Sequence, residues 1–352
     1  MTRSMSAEIE REMAMDKPPR RRSVDRTAGK HAVPDRAVEV RPLVSVIVAA
    51  YNASLIIGET IRSVLGQTRQ DFEIVVVDDG STDDTGALVT QWLADPRVRL
   101  YHQENAGPAA ARNAGIAHAH GDYLSMLDSD DLWLPYYLER MVLALQESPE
   151  AGFAYTDAWA LEQASGRIRR ATAMSRQRPP ERTLPATAFL EALVQRNFIF
   201  NSVTVRREVL EHVGGYDPEI PQAEDYELWL RSCAAGYTGL RVPGPLAIYR
   251  VHDGSLSQDE LGLLTGLCDA YRAVIDRHPA PEDVKAIARE RLHTAERRLE
   301  ALQGRSTPAR AYPRTRHMLA ASTHKWRTRR RLLATPPPEV AKAFPELGDG
   351  KR

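Results

Sequence analysis

The first half of the chain is marked by continuous apolar runs rather than alternating ones. Residues 43–50 (LVSVIVAA), 73–77 (EIVVV) and 123–127 (YLSML) are apolar on both faces, the pattern of strands covered on both sides in a parallel sheet. Between them the period changes. Residues 56–65 have helical spacing, and Ser81, Thr82, Asp83 and Asp84 supply capping side chains for a helix reaching about Leu93. A short strand follows at 98–102. Gly107-Pro108 then opens a small-residue helix over 109–118, with proline at an early helical position. An amphipathic helix at 135–146 and a strand at 152–156 continue the alternation. This order predicts an α/β fold: a mostly parallel sheet flanked by helices, with right-handed crossovers.

Beyond 156 the pattern is less regular. Residues 162–185 are rich in Arg and Pro without a period, and are expected to form an irregular loop, a candidate cover for the active site. Short helices are predicted at 187–195 and 206–212, and a longer one at 225–234. From Ser257 to about Gln303 the chain reads as helical, with Leu261, Leu264, Leu267, Cys268, Tyr271 and Ile275 along one stripe. The expected organisation is a disordered basic tail at 1–41, an α/β domain at 42–256, a C-terminal helical extension at 257–334 and a flexible tail at 335–352. No internal repeat is visible.

Composition changes this picture little. Of 352 residues, 43% are hydrophobic and 27% charged, as in ordinary soluble domains. Lys+Arg and Asp+Glu both number 47, so net charge gives no argument for nucleic acid as a partner. The two cysteines, Cys233 and Cys268, lack metal-ligand spacing and fit a reduced, cytoplasmic setting. No apolar run reaches the roughly 18 residues of a membrane span, and the N-terminus lacks an apolar signal core. The basic run at 325–331 is read as a solvated face, with peripheral contact to the inner face of the membrane as the alternative.

The candidate chemistry lies where strands end. One predicted strand runs into Asp78-Asp79-Gly80-Ser81 and another into Asp128-Ser129-Asp130-Asp131. In open α/β sheets ligands bind beyond the carboxyl ends of the strands. Two such ends therefore put several negative charges into one crevice, which repels itself unless a cation or a donor-rich ligand enters. A divalent metal holding a nucleotide diphosphate suits that crevice, since hard cations take oxygen ligands. Asp128 and Asp130 have the i, i+2 spacing that sends both side chains to one side of an extended segment. A cap role for Asp131 accounts for one carboxylate but not for three.

The ordered set Ser45 to Asn52, Val77-Asp78-Asp79-Gly80-Ser81-Thr82-Asp83, Ala111-Arg112-Asn113-Ala114-Gly115 and Leu127-Asp128-Ser129-Asp130-Asp131 resembles the family-two glycosyltransferases. Gly214-Gly215-Tyr216-Asp217, Ala223-Glu224-Asp225-Tyr226-Glu227 and Tyr249-Arg250-Val251-His252 continue the resemblance, which spans roughly 42–257. The resemblance implies a GT-A fold and an inverting, metal-assisted transfer of a sugar from a UDP- or dTDP-sugar donor. The acceptor would be a glycan, a lipid-linked or a small-molecule hydroxyl.

Residue by residue, it implies that Tyr51 stacks on the nucleobase and that Asp79 or Asp78 accepts from the base N–H. Tyr51 as a packed core tyrosine is the alternative. Arg112 is a candidate nucleotide contact or a solvated arginine. Asp130 would coordinate Mg²⁺ or Mn²⁺, with Asp128 toward ribose or metal-bound water, and His252 toward metal or diphosphate. Asp225 is the expected general base, at a helix start that tends to keep it ionised, with Glu224 orienting base or acceptor.

Two rival classes remain. A sugar nucleotidyltransferase would carry a Gly-rich phosphate loop near the first strand, and 49–54 contains no Gly, Lys or Arg. A catalytically degenerate nucleotide-sugar or carbohydrate-binding protein is opposed by the intact carboxylates.

Overall fold

The computed structural model describes residues 41–169, 171–175, 177, 179–180, 183–200, 202–252, 259–304, 333 and 335–347. The tail at 1–40, the basic run at 325–331 and most of 305–334 lie outside them.

The apolar runs form the expected strands: β1 (Val44–Ala50), β2 (Phe72–Asp78), β3 (Val98–His102) and β4 (Tyr123–Asp128). They pair in parallel in the order β3-β2-β1-β4. Crossover helices α1 (Ile57–Leu65), α2 (Thr85–Thr90) and α3 (Pro108–His118) join them. The small residues of α3 have a packing reason: a Cβ on Gly115 would stand 2.4 Å from Ile47 Cγ2 on β1. Only a side chain reduced to hydrogen lets the helix lie this close to the sheet.

After β4 come β5 (Leu132–Trp133), α4 (Tyr137–Glu147), β6 (Ala151–Glu162), β7 (Arg167–Ile168) and α5 (Ala186–Gln195). Next are β8 (Val203–Arg206), α6 (Arg207–Val213), α7 (Glu224–Ala234) and β9 (Thr238–Val251). The sheet continues as β4-β8-β6-β9-β5, with β7 paired to β6. Here the pairing is mixed: β4/β8, β6/β8, β6/β7 and β5/β9 are antiparallel, and β6/β9 is parallel. The sheet is thus parallel in its first half and mixed in its second. The 162–185 segment, expected as irregular loop, contributes the short β7.

Two helices, α8 (Glu260–Asp276) and α9 (Glu282–Gln303), pack with α5 and α7 in one apolar cluster that includes Leu193, Tyr226, Leu264, Cys268 and Ala288. On the predicted stripe Leu264, Leu267, Cys268 and Tyr271 are buried, whereas Leu261 stays exposed.

The expectation of a flexible tail fails over 335–347. Helix α10 (Pro338–Ala343) and a 3₁₀ turn (Pro345–Leu347) place Val340, Phe344 and Leu347 in a cluster with Leu132, Leu161, Ile168 and Ile248. Three apolar anchors over eight residues bury enough surface to order so short a segment. Phe344→Ala should cost about 3 kcal/mol through the cavity it leaves, seen as a thermal-denaturation midpoint lower by several degrees; an unchanged midpoint would refute this docking.

Candidate active site

Strand register assembles the site. Ala50 on β1 is opposite Asp78 on β2, Asp78 is opposite His102 on β3, and Ala49 is opposite Asp128 on β4. The carboxyl ends therefore form one edge bearing Asp78, His102 and Asp128. Tyr51 leaves that edge and is 50% exposed, so it is not a packed core tyrosine. The loop after it is tied to the loop after β2. Asn52, at φ +50°, donates its N–H to Ser81 Oγ (3.0 Å) and accepts from the Thr82 N–H at Oδ1 (2.8 Å). Burial would raise the Asp83 carboxyl, but hydrogen bonds from Thr85 and Ser54 outweigh it and hold its pKa at about 2.

Asp78 and Asp79 are both buried. Asp79 is caged by the loop after β3, accepting from Gln103 Nε2 (2.7 Å) and from the N–H groups of Ala106 and Gly107 (both 2.9 Å). Asp78 accepts from the Ser81 N–H (3.1 Å) and lies 3.1 Å from His102 Nδ1. An ionised carboxylate has about four acceptor positions; Asp79 uses three of them here and Asp78 two, so each keeps capacity for a ligand.

The second group is the carboxylate crevice. Asp128, Asp130 and Asp131 bring ligand oxygens within 4.8 Å of one another. The turn carrying them is pinned from α1, where the one hydroxyl hydrogen of Thr60 is shared between the carbonyls of Ser129 (2.8 Å) and Asp131 (2.9 Å). Asp131 begins no helix. It is buried ahead of β5 and accepts from the Arg250 N–H (3.0 Å). That bond, with the Leu132–Ile248 pairing of β5 and β9, brings the end of β9 beside the turn, and His252 Nε2 lies 2.9 Å from Asp130 Oδ2. Burial raises the carboxyls of both Asp128 and Asp131 above the usual range. For Asp128, Arg112 opposes the rise while Asp130 adds to it; for Asp131, Asp130 and Asp128 add to it. The all-oxygen cluster fits a hard divalent cation, because such charge density is relieved either by protons or by a metal.

Arg112 is neither solvated nor free. Buried on α3, it donates to Asp128 Oδ1 (2.8 Å) and to Glu224 Oε1, and its guanidinium stands 5.3 Å from the Tyr216 ring centroid. It therefore joins the end of β4 to the start of α7, reaching Glu224, 112 residues further along the chain. Burial disfavours its charge, but Asp128 and Glu224 more than compensate and keep it firmly protonated. No local signal in the sequence marks this bridge.

Helix α7 begins at Glu224, preceded by Ala223 in the left-handed region at φ +63°. Glu224 is buried against Arg112, while Asp225 is partly open. The pKa of Asp225 departs from the expectation for a helix start. Burial and then the Glu224 carboxylate push it up to about 7, against the Arg112 charge and the Tyr226 N–H. The structure thus brings Arg112, Asp128, Asp130, Glu224 and His252 into linked contacts, with Asp225 beside Glu224. Tyr51, Asp78 and Asp79 form a neighbouring group on the same sheet edge. Asp131, Arg250 and Thr60 are the supporting residues that sequence reasoning missed as such.

The comparisons place a fold and site of this kind among the glycosyltransferases. Residues 45–214 match the model of "Glycosyl transferase family 2". The putative teichuronic acid biosynthesis glycosyltransferase TuaG of Bacillus subtilis is 32% identical over 244 residues, covering 68% of this chain and 90% of TuaG. The chain belongs to glycosyltransferase family 2. The succinoglycan biosynthesis protein ExoO of Rhizobium meliloti is 37% identical over 231 residues, covering 63% of this chain and 64% of ExoO. The chain spans 15% to 65% of the length of several other curated relatives it matches.

Among solved structures, Staphylococcus aureus TarS 1-349 in complex with UDP-GlcNAc superposes with TM-score 0.56 at 19% identity, covering 73% of this chain and 72% of that one. The mannosyltransferase PcManGT of Pyrobaculum calidifontis, in complex with GDP-Man and Mn²⁺, gives 0.55 at 22%, covering 76% and 77%. These likenesses bear out the GT-A fold expected from the sequence. Among the described residues no helix is long and apolar enough to cross a membrane.

Proposed function

We propose that the chain is an inverting glycosyltransferase that moves a sugar from a UDP- or dTDP-sugar to an acceptor hydroxyl. The observation that carries this reading is the Arg112 bridge. One buried cation holds Asp128, at the donor end, against Glu224, the neighbour of Asp225. Donor and acceptor chemistry thereby share one crevice, the arrangement that a direct displacement needs.

On this reading Tyr51 offers its exposed ring to the nucleobase face, and Asp79 or Asp78 accepts from the base N–H. Asp128 and Asp130, with His252 beside them, hold Mg²⁺ or Mn²⁺. The bound cation supplies positive charge that offsets the charge gained by the departing nucleoside diphosphate. Asp225 takes the proton of the acceptor hydroxyl as its oxygen bonds to the anomeric carbon, and the bond to phosphate breaks with its electron pair leaving on the diphosphate. Glu224, fixed by Arg112, orients that base.

The relatives ExoO and TuaG are named for succinoglycan and teichuronic acid biosynthesis, which favours a growing glycan or its lipid-linked precursor as acceptor. The basic run at 325–331 then attracts the chain to an anionic cytoplasmic membrane surface, at about 1 kcal/mol per Lys or Arg near it. The test is a panel of UDP-N-acetylglucosamine, UDP-glucose, UDP-galactose and dTDP-glucose with Mn²⁺, scored for nucleoside diphosphate release. Turnover of at least one UDP- or dTDP-sugar is expected; inertness toward all four, alone and with added glycan acceptors, would contradict the proposal.

A further inference from the structure

The start of α7 is held from behind by α8. Gln222, two residues before Glu224, lies in a notch made by Gly262 and Gly266, four residues apart and so on one face of α8. The fit leaves no room. A Cβ on Gly266 would stand 1.7 Å from the Gln222 carbonyl oxygen and 2.5 Å from its carbon. A Cβ on Gly262 would stand 2.1 Å from Gln222 Nε2. The side chain of Gln222 is also fixed, donating from Nε2 to Asp259 Oδ2 (2.9 Å). Asp259 is itself the N-cap of α8, accepting from the Gly262 N–H at Oδ1 (3.0 Å).

Immediately after this clasp, Ala223 takes its left-handed conformation, which a residue with a Cβ adopts only when its surroundings impose it. The next residues are Glu224 and Asp225. A second link ties α7 to the same helical pair: His278, after α8, lies 3.0 Å from Glu227, buried one turn along α7. Tyr226 also meets Tyr271 of α8 edge-on, with ring centroids 6.1 Å apart.

We propose that the Gly262–Gly266 notch of α8 is a positioning device for the general base, fixing the Gln222-Ala223 backbone so that Glu224 and Asp225 face the crevice. The helical pair after the α/β part is then part of the transfer machinery and not a passive appendage. This inference rests on the reading of Asp225 as base, and its test separates the two.

A displacement of about 1 Å at a reacting group can cost roughly 10²-fold. Gly266→Ala should therefore lower kcat for the most active donor of the panel by about that factor. The affinity for UDP with Mn²⁺, measured by calorimetry, should stay within about twofold of the parent, because the notch touches none of the nucleotide-end residues. Gln222→Ala, which keeps the glycines and the backbone contact at Gly266 but removes the side chain held by Gly262 and Asp259, should lower kcat in the same sense by a smaller factor. It decides the question if circular dichroism shows Gly266→Ala unfolded.

The discriminating arm is the Asp225→Asn background, where Gly266→Ala and Gln222→Ala should cost almost nothing further, since groups acting through one residue are not additive. Parental kcat in the folded single variants, an equal loss in the Asp225→Asn background, or a matching loss of UDP affinity would overturn the positioning role. Parental turnover in Asp225→Asn alone would overturn the base assignment first, and the positioning role with it.

Discussion

Asp225→Asn is expected to lower kcat by about 10²–10⁴-fold while leaving UDP affinity nearly unchanged. Asparagine keeps the size of the side chain and its place in the first turn of α7, but it cannot take the acceptor proton. The pH profile sharpens the expectation. Burial and the adjacent Glu224 raise the Asp225 pKa to about 7. Catalysis needs the ionised form, so kcat/KM of the parent enzyme should rise with pH and reach half its plateau near 7. The linked stability has the opposite sign. The folded state binds this proton more tightly than the unfolded chain, so the contribution is complete below the ordinary carboxyl range and is lost as pH rises through about 7. The variant should lack both effects. Near-parental kcat, or an unchanged ascending limb in Asp225→Asn, would show that another group takes the proton.

Asp130→Ala is expected to abolish metal-dependent nucleotide binding as well as turnover. Asp130 shares the cluster with Asp128 and Asp131 and pairs with His252 at 2.9 Å. Removing it deletes a ligand oxygen and leaves His252 without this partner. In the parent, Mn²⁺ should raise the thermal midpoint at pH 7.5, because a bound cation stabilises the folded state by mass action and relieves carboxyls whose ionisation burial opposes. That Mn²⁺-dependent rise, and the Mn²⁺-dependent part of UDP binding, should vanish in the variant. Full parental turnover in excess chelator, or Asp130→Ala with parental kinetics, would remove the cation from the account.

The parts that were legible in the sequence are those where chemistry and periodicity are local. β1, β2 and β4 announce themselves because strands buried on both faces are continuous apolar runs. Their ends carry the Asp residues because ligand sites sit where strands stop. The parts that were not legible depend on contacts distant in sequence. Strand β9 is interrupted by Gly239, Pro243, Gly244 and Pro245, and its pairing with β6 shifts register three times, so no alternation survives to reveal it. Strand β8 is four residues long and runs directly into α6, which hid it behind the helical signal.

Packing set the remaining differences. The 335–347 segment has the proline-rich composition of a tail, yet Val340, Phe344 and Leu347 find an apolar patch on β5, β6, β7 and β9. Arg112 reads as an ordinary basic residue of a small-residue helix until the fold places Asp128 and Glu224 on either side of it. The elevated Asp225 pKa likewise follows from tertiary burial, which overrides the helix-start preference that local sequence suggests.

The central claim is a single direct displacement at the anomeric carbon, with Asp225 on the acceptor side. The most direct measurement is time-resolved proton NMR of the sugar released when water serves as acceptor, using the active α-linked donor and reading the anomeric signal before mutarotation. The β-anomer is expected to appear first; release of the α-anomer first would contradict a single displacement.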